Sequence, residues 1–444
     1  MHKGAFIVVL NKFIPTNLFE TYRLELKKFS FWSSFFIVMT AFTIPISSTF
    51  RSIAVCLSFI FLIINPSHHA DLKNLFKQNV VRMALLFFMF SALACCWSAA
   101  NFHEQWIVLT KYSKLVFLPF FILAFREPRL RNITLHAFLL AMFITCVLLL
   151  LKAAGRLHYG GDDPGQMFRN HIMTGYMMVF AAYVAAYFAY HASRLRHRIA
   201  YGFLACLLSY QVLFTGTGRM AYLAYGVLAS LWIFQMFSWR KALLLVGMGG
   251  ILFAVTYTVN PTMQFLAHQV KDDWGLYHHN KKDTSLGFRL QFHTYAYDLF
   301  KRHPWFGHGT GGFSHAFDVE NPVPEWSASR VHLLEPHSQY WMVASELGII
   351  GLILFIVLLG SLWVSCWRTH ETRALGCAIL LPMFIGNLTD SLLLYSGTGY
   401  FFLLFTALSL ASHPKISNTS CNQVAVLDGI RPPLLQAKED AIQT

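Results

Sequence analysis

Apolar runs of similar length recur along the chain from Phe29 to Ser412, with short polar segments between them. A helix needs about 20 apolar residues to cross the hydrocarbon core of a bilayer. The pattern therefore predicts an all-α, polytopic integral membrane protein with about twelve transmembrane helices. Their approximate bounds are 29–49, 51–65, 79–97, 106–125, 132–154, 171–190, 199–215, 219–237, 241–258, 338–364, 374–393 and 398–412.

The distribution of Lys and Arg predicts the orientation of these helices. If the amino terminus is cytoplasmic, the cytoplasmic segments carry 21 Lys and Arg residues, whereas the short segments on the opposite side carry 4. Short cytoplasmic loops of membrane proteins are enriched in these two residues. We therefore expect both termini in the cytoplasm and the long polar segment 259–337 on the outer side of the membrane.

Four parts of the chain follow from this pattern: amino-terminal membrane helices at 1–258, an outer loop at 259–337, carboxyl-terminal membrane helices at 338–412 and a cytoplasmic tail at 413–444. The loop contains the stretch TSLGFRLQFHTYAYDLFKRHPWFGHGTGGF, which predicts a capped amphipathic helix followed by a glycine-rich turn. We expect this helix to pack against the outer ends of the membrane helices. Its predicted apolar face consists of Leu286, Leu290, Phe292, Tyr295 and Leu299.

Composition narrows the class of protein further. Hydrophobic residues make up 56% of the chain and charged residues 13%, a balance that soluble domains do not show. The net charge of +14 does not indicate nucleic-acid binding, because the basic residues form short patches between apolar runs. Most cysteines lie inside apolar segments and none occurs in the outer loop, so we interpret them as small hydrophobic residues.

Two arginines near predicted helix starts are the main candidates for binding an anion. Arg219 follows the TGTG turn at the outer start of the eighth span, and Arg289 lies near the predicted cap Thr284 or Ser285 of the loop helix. A helix start carries partial positive charge, so helix stability does not explain a cation there. Free backbone N–H groups, a close-approach glycine such as Gly218 and an arginine together suit a phosphate. The alternative for Arg219 is a side chain that extends to the membrane interface. The alternative for Arg289 is an ordinary solvated charge.

His337 is the candidate general base. Pro336 fits the first position of the tenth helix, which would place His337 one residue inside it, followed by an unbroken span. A helix start disfavours imidazolium, so a neutral imidazole could accept a proton near pH 7. The alternatives are an ordinary interfacial histidine, and a proton acceptor among the loop carboxylates. Those carboxylates are Asp318, Glu320, Glu325 and Glu335.

Weaker candidates for the same anion site are Lys111 and Lys114 in the fourth span, and Arg169 and His171 at the outer start of the sixth. A charge within the bilayer is costly unless it reaches the interface or meets an anion. The GHGTGGF stretch lacks the Lys and Ser or Thr of a P-loop, so it predicts a tight turn and no nucleotide site. We expect no metal site, since the adjacent histidines in the loop lack further ligands at a suitable spacing.

These features together resemble the O-antigen ligases. The resemblance rests on the spans, the long outer loop, the arginine in the TGTGR turn, the FR…HPWFGHGTGGF segment and the helix PHSQYWMVASELGIIGL, and it covers roughly residues 165–400. The most specific motif is His, Ser or Asn, then Glu-x-Gly-x-x-Gly, matched by His337, Ser338, Glu346, Gly348 and Gly351. The family often has Asn after the histidine. Ser338 is therefore a departure that weakens the distinction between ligase and polymerase.

The resemblance implies transfer of an O-antigen polysaccharide from undecaprenyl diphosphate to a sugar hydroxyl of lipid A-core. The reaction would occur at the periplasmic face of a Gram-negative inner membrane, with no metal, nucleotide or other cofactor. Arg219 and Arg289 would hold the diphosphate and stabilise its charge as it leaves. His337 would take the proton of the acceptor hydroxyl as that oxygen attacks the anomeric carbon, and a single displacement would invert this centre.

Three alternatives remain at this point. An O-antigen polymerase would use the same donor with another acceptor, and a protein O-oligosaccharyltransferase would transfer the glycan to a hydroxyl of a protein. A lipid-linked sugar flippase would explain the spans and the cations without catalysis. Transporters tend to have repeated halves and charges at mid-membrane, whereas here the cationic candidates gather at one face.

Overall fold

The computed structural model describes residues 16–159, 161, 163–327 and 332–411, so the predicted tail at 413–444 lies outside the described residues. The regular secondary structure of this part of the chain is helical. In chain order the α-helices are α1 Thr16–Thr43, α2 Ser48–Ile64, α3 His69–Leu75, α4 Asn79–Leu93, α5 Phe102–Tyr112, α6 Leu118–Ala124, α7 Pro128–Ala153, α8 His171–His191, α9 Leu195–Tyr210, α10 Arg219–Met236, α11 Trp239–Val259, α12 Pro261–His278, α13 Ser285–Arg302, α14 Gly312–Glu320, α15 Pro324–Ser327, α16 Gln339–Arg368, α17 Arg373–Gly386 and α18 Ser396–Leu410.

Seven helical stretches of the described residues are long and apolar enough to cross a membrane, or eight if the bent pair α2 and α3 forms one span. The seven are Asn79–Cys96, Phe102–Ala124, Pro128–Ala153, His171–His191, Leu195–Thr215, Trp239–Val259 and Gln339–Arg368. Three shorter apolar helices have 10–17 residues, fewer than the roughly 20 that a span needs. The protein is thus an all-helical polytopic membrane protein, but the predicted twelve spans are not confirmed.

The segment 259–337 folds mainly into helices. The capped amphipathic helix predicted there is confirmed as α13, whose preceding residue Thr284 accepts a hydrogen bond from the N–H of Gly287 at 3.1 Å. Phe292, Tyr295 and Leu299 on its apolar face are buried. Helix α12, which precedes α13, was not predicted from the sequence pattern.

The prediction that Pro336 is the first residue of the tenth helix is wrong. Helix α16 begins at Gln339, and the Ser338 hydroxyl caps it by accepting a hydrogen bond from the N–H of Trp341 at 3.4 Å. His337 therefore lies just before the helix, with a φ of 54° in the left-handed region that residues other than glycine seldom adopt. The position of His337 inside a helix start, which was the predicted reason for a neutral imidazole, is therefore not present.

The prediction of an unbroken tenth span is also wrong. Gly348 interrupts α16 with a φ of 63° and a ψ of −164°. The glycine-rich turn meets this break at backbone level, where the Gly309 N–H donates to the Glu346 carbonyl at 2.8 Å. A Cβ on Gly348 would collide with the backbone of Trp305, and one on Gly307 would collide with the backbone of Glu346. The Glu-x-Gly motif thus serves to join the loop to the membrane helix, and the predicted tight turn is confirmed.

A turn segment at 387–395 replaces the carboxyl-terminal end of the predicted eleventh span. Helix α17 stops at Gly386. The N–H of Gln339 then donates to the Asn387 carbonyl at 3.0 Å, and the N–H of Leu394 donates to the Gln339 side-chain oxygen at 3.2 Å. These bonds fasten the turn segment to the start of α16, directly beside His337.

Candidate functional site

A buried carboxylate lies between the predicted base and one of the predicted arginines. The Nδ1 atom of His337 is 3.4 Å from Oδ1 of Asp390, and Nη2 of Arg289 is 3.8 Å from the same oxygen. The side chain of Asp390 is 0% exposed, whereas that of Arg289 is 29% exposed. The three side chains form a histidine–carboxylate–arginine cluster that is closed on the Asp390 side and open on the arginine side.

One face of α13 positions this cluster. Arg289, Phe292 and His293 are spaced three and four residues apart, so they share a face of the helix. The ring of Phe292 stacks on the imidazole of His337 at a centroid distance of 6.0 Å. His293 Nε2 lies 3.1 Å from the His337 carbonyl, to which it can donate. Burial lowers the pKa of His293, which suits a neutral imidazole that donates through one nitrogen.

Glu335 is a second buried carboxylate beside the imidazole. Its Oε1 atom is 3.9 Å from Nδ1 of His337. Burial raises the pKa of Glu335, although His337 and the hydroxyls of Ser391 and Tyr395 partly counteract this effect. Of the four loop carboxylates considered as alternative bases, Glu335 is the one that contacts His337.

The other predicted arginine, Arg219, is the first residue of α10, as the sequence predicted. Its Nη2 atom donates to the side-chain oxygen of Gln269 on α12 at 3.3 Å. It is close enough to Arg289 for the two charges to act on each other. The structure therefore brings the two arginines into one neighbourhood, each with guanidinium nitrogens that no carboxylate engages within the described residues.

A hydrogen-bond network supports the turn before Arg219. Asp163 accepts the Thr217 hydroxyl at 2.6 Å and pairs with His171 Nδ1 at 2.7 Å. Burial raises the pKa of Asp163, but hydrogen bonds from His171, Thr217 and the Gly165 N–H outweigh it and hold the pKa at about 2. Gly218 is buried, and a Cβ there would lie 3.3 Å from the His171 carbonyl. His171 and Gly218 thus lie beside Arg219, where they shape its turn.

Three of the weaker candidates are not part of this cluster. The Lys114 ammonium is buried and donates to the carbonyls of Leu393, Leu394 and Tyr395 at 2.6, 3.1 and 3.0 Å. These contacts use its three N–H donors. Lys111 donates to the Ser396 hydroxyl at 3.3 Å.

Arg169 points elsewhere as well. Its Nε and Nη2 atoms donate to the carbonyl of Ile44 at 3.2 and 3.1 Å, just beyond the end of α1. Two of the loop carboxylates are likewise engaged away from His337, since Asp318 pairs with His332 and Glu320 with Arg302. The described part of the chain contains no group of three or more His, Cys, Asp or Glu side chains that could hold a metal ion.

Asp390 is the site residue that sequence reasoning missed. It falls in the run GNLTDSLLLY, most of which the hydropathy pattern assigned to the carboxyl-terminal end of the eleventh span. Placing a carboxylate within the bilayer costs free energy, so a carboxylate in a predicted span usually indicates a functional site. That signal, together with the neighbouring Asn387, could have located the residue.

The arrangement suits proton abstraction next to an anion. With Nδ1 of His337 donating to Asp390, Nε2 carries the free lone pair, and it has no hydrogen-bond partner among the described residues. A histidine oriented by a carboxylate in this way acts as a general base in many enzymes. The open nitrogens of Arg219 and Arg289 can receive phosphate oxygens beside it.

Comparison with known proteins found one family model and one relative that are similar to this chain. Residues 203–356 match the family model described as O-Antigen ligase. Arg219, Arg289 and His337 lie within the match, and Asp390 lies outside it. The chain is also 24% identical over 281 residues to an uncharacterized protein of Haemophilus influenzae, which covers 60% of this chain and 68% of that protein. Over residues 203–356 the chain is thus similar to the O-antigen ligase family.

Proposed function

We propose that the protein is an inverting glycosyltransferase that transfers O-antigen polysaccharide from undecaprenyl diphosphate to a sugar hydroxyl of lipid A-core. The observation that carries the proposal is the cluster of His337, Asp390 and Arg289, with Arg219 nearby. In an attack of an acceptor hydroxyl on a sugar diphosphate, a general base would take the hydroxyl proton and the two arginines would bind the diphosphate. The match of residues 203–356 to the O-antigen ligase model supports the donor and acceptor classes.

The proposed reaction needs no metal and no nucleotide. The two guanidinium groups bind the diphosphate and stabilise the negative charge that grows on it as the anomeric bond breaks. His337 removes the proton from the acceptor hydroxyl through Nε2, and Asp390 stabilises the imidazolium that forms. Backside attack inverts the anomeric carbon.

The proposal places the cluster on the periplasmic side of the inner membrane, with both termini in the cytoplasm. The distribution of Lys and Arg supports this orientation. Donor and acceptor are both lipids, so a base and two arginines at the ends of apolar helices would meet them at the same membrane depth. A reporter fused near Asp283 should be exported, and cytoplasmic activity of that reporter would contradict the placement.

The lipopolysaccharide of a strain that lacks the protein tests the function. Loss of the whole O-antigen ladder, with carrier-linked polymer accumulating, supports the ligase, and restoration should require a plasmid copy with His337 intact. Core capped with a single repeat would instead indicate an O-antigen polymerase. An unchanged ladder would contradict both activities.

A further inference from the structure

Two basic side chains lie over the ring of Tyr400 on α18, and two more lie close to the first of them. The guanidinium of Arg51 lies 5.0 Å and the Lys114 ammonium 5.9 Å from the centre of the Tyr400 ring. Lys111 and Arg169 are close enough for their charges to act on Arg51. We call these four cations, Arg51, Lys111, Lys114 and Arg169, the Tyr400 cluster.

The Tyr400 cluster has no acidic partner. Within residues 16–159, 161, 163–327 and 332–411, none of its four cations forms an ion pair with Asp or Glu. The hydrogen-bond acceptors of the cluster are neutral, namely backbone carbonyls and serine hydroxyls. Burying like charges together is unfavourable unless an anion neutralises them.

Arg51 points most directly to a missing ligand. Its side chain is 3% exposed, and neither Nε nor Nη1 has a hydrogen-bond partner among the described residues. The remaining nitrogen, Nη2, donates to the Ser52 hydroxyl at 3.2 Å. A buried guanidinium with two nitrogens free to donate can hold an anion through charge-assisted hydrogen bonds.

The surrounding backbone reinforces the positive potential. Arg51 is the fourth residue of α2, Arg169 precedes the start of α8, and Tyr400 is the fifth residue of α18. The three residues thus lie at or near the starts of their helices, and a helix start adds partial positive charge. Basic pockets between membrane helices are typical binding sites for lipid head groups.

We infer that the Tyr400 cluster is a second anion site, which binds the phosphate of a phosphorylated lipid head group through Arg51 and Lys111. It is distinct from the proposed diphosphate site in its contacts, since none of its four cations pairs with Asp390 or Glu335 within the described residues. The inference does not depend on the transfer reaction.

Native mass spectrometry of the purified full-length protein tests this site. The probes are phosphatidylglycerol, the phosphorylated glycolipid lipid A, inorganic phosphate, and diacylglycerol as a phosphate-free control. The double variant Arg51→Gln with Lys111→Gln should bind the phosphorylated probe at least about tenfold more weakly than the parent, since two charge-assisted hydrogen bonds are lost. The matched control is Arg196→Gln with Arg198→Gln, which removes two exposed charges elsewhere and should bind as the parent does.

The identity of the probe that binds distinguishes the sources of the phosphate. Preference for lipid A identifies an acceptor-type glycolipid, preference for phosphatidylglycerol identifies a membrane phospholipid, and binding of inorganic phosphate alone overturns the lipid part of the inference. Arg51→Lys, which keeps the charge but loses the fork, should fall between parent and double variant. Equal binding by parent and double variant, or equal binding of diacylglycerol, would overturn the site itself.

Discussion

The His337 cluster and the Tyr400 cluster both gather cations at helix ends, but they differ in their carboxylates. Asp390 and Glu335 lie within 4 Å of His337, whereas no Asp or Glu of the described residues pairs with a cation of the Tyr400 cluster. A carboxylate beside a histidine allows a proton to be taken and returned. Cations without such a partner suit the binding of an anion. We therefore propose a catalytic role for the first cluster and a binding role for the second.

The two clusters share one segment of the chain. In the turn segment 387–395, Asp390 lies beside His337, and the carbonyls of the last three residues accept hydrogen bonds from Lys114. The segment is held in place by Gln339, which receives and donates hydrogen bonds across it. A ligand that binds the Tyr400 cluster thus has a direct structural connection to the carboxylate that orients the base.

The largest effect is expected from removing the imidazole. His337→Ala should lower the turnover of purified enzyme by about 10²- to 10⁴-fold, the usual contribution of general-base catalysis. His337→Gln should be similarly impaired, because glutamine cannot take the proton. A near-normal rate for both variants at neutral pH would show that His337 is not the general base.

The next largest effect concerns the arginines. Arg219→Ala and Arg289→Ala should each reduce transfer by about 10- to 150-fold, since a hydrogen bond to a charged group contributes roughly 1.5–3 kcal/mol. Lysine should restore only part of the activity, because it lacks the planar fork. The matched control is Arg302→Ala, whose guanidinium pairs with Glu320 on the far part of the loop. If Arg302→Ala lost as much transfer activity, the losses at Arg219 and Arg289 would not indicate a specific diphosphate site.

Asp390→Asn should lower kcat by about tenfold and leave donor affinity nearly unchanged, because the carboxylate orients His337 without touching the diphosphate. Rates measured over a range of donor concentrations separate the two parameters. A pure loss of donor affinity would show that Asp390 acts through Arg289 instead, at 3.8 Å.

The smallest effect is expected from the support of the Arg219 turn. Asp163→Asn should raise KM for the donor by about two- to tenfold, as neutral hydrogen bonds replace charged ones. Because the pKa of Asp163 is lowered to about 2, its stabilising contribution is present above the ordinary carboxyl pKa and is lost as pH falls toward 2. The difference in heat stability between parent and variant should therefore shrink below about pH 4. A difference that grows on acidification would contradict this role.

The sequence predicted those parts of the structure that local patterns determine. The cap at Thr284, the apolar face of α13 and the first position of Arg219 in α10 follow from capping preference and periodicity. These features also indicated Arg219, Arg289 and His337 as site residues. Their grouping in space agrees with that selection, although their roles remain proposals.

The sequence could not predict features that depend on tertiary contacts. The break at Gly348 forms because the backbone of the glycine-rich turn meets α16 there. Asp390 lies among leucines, so hydropathy assigned it to a span, although hydrogen bonds to Gln339 hold the segment as a turn. Hydropathy also cannot distinguish a lysine that donates to carbonyls, as Lys114 does, from one that is free to bind a phosphate.

The most direct test is to measure donor affinity and the rate of transfer separately for His337→Ala and Glu335→Gln. A non-transferable lipid diphosphate analogue gives the affinity, and single-turnover kinetics across pH give the rate. If His337 is the base, its alanine variant binds the analogue nearly as the parent does while its rate falls by about 10²-fold or more, and Glu335→Gln keeps most of its rate. If His337→Ala loses affinity in proportion to its rate, or if Glu335→Gln shows the larger loss of rate, the assignment of His337 as the base is wrong.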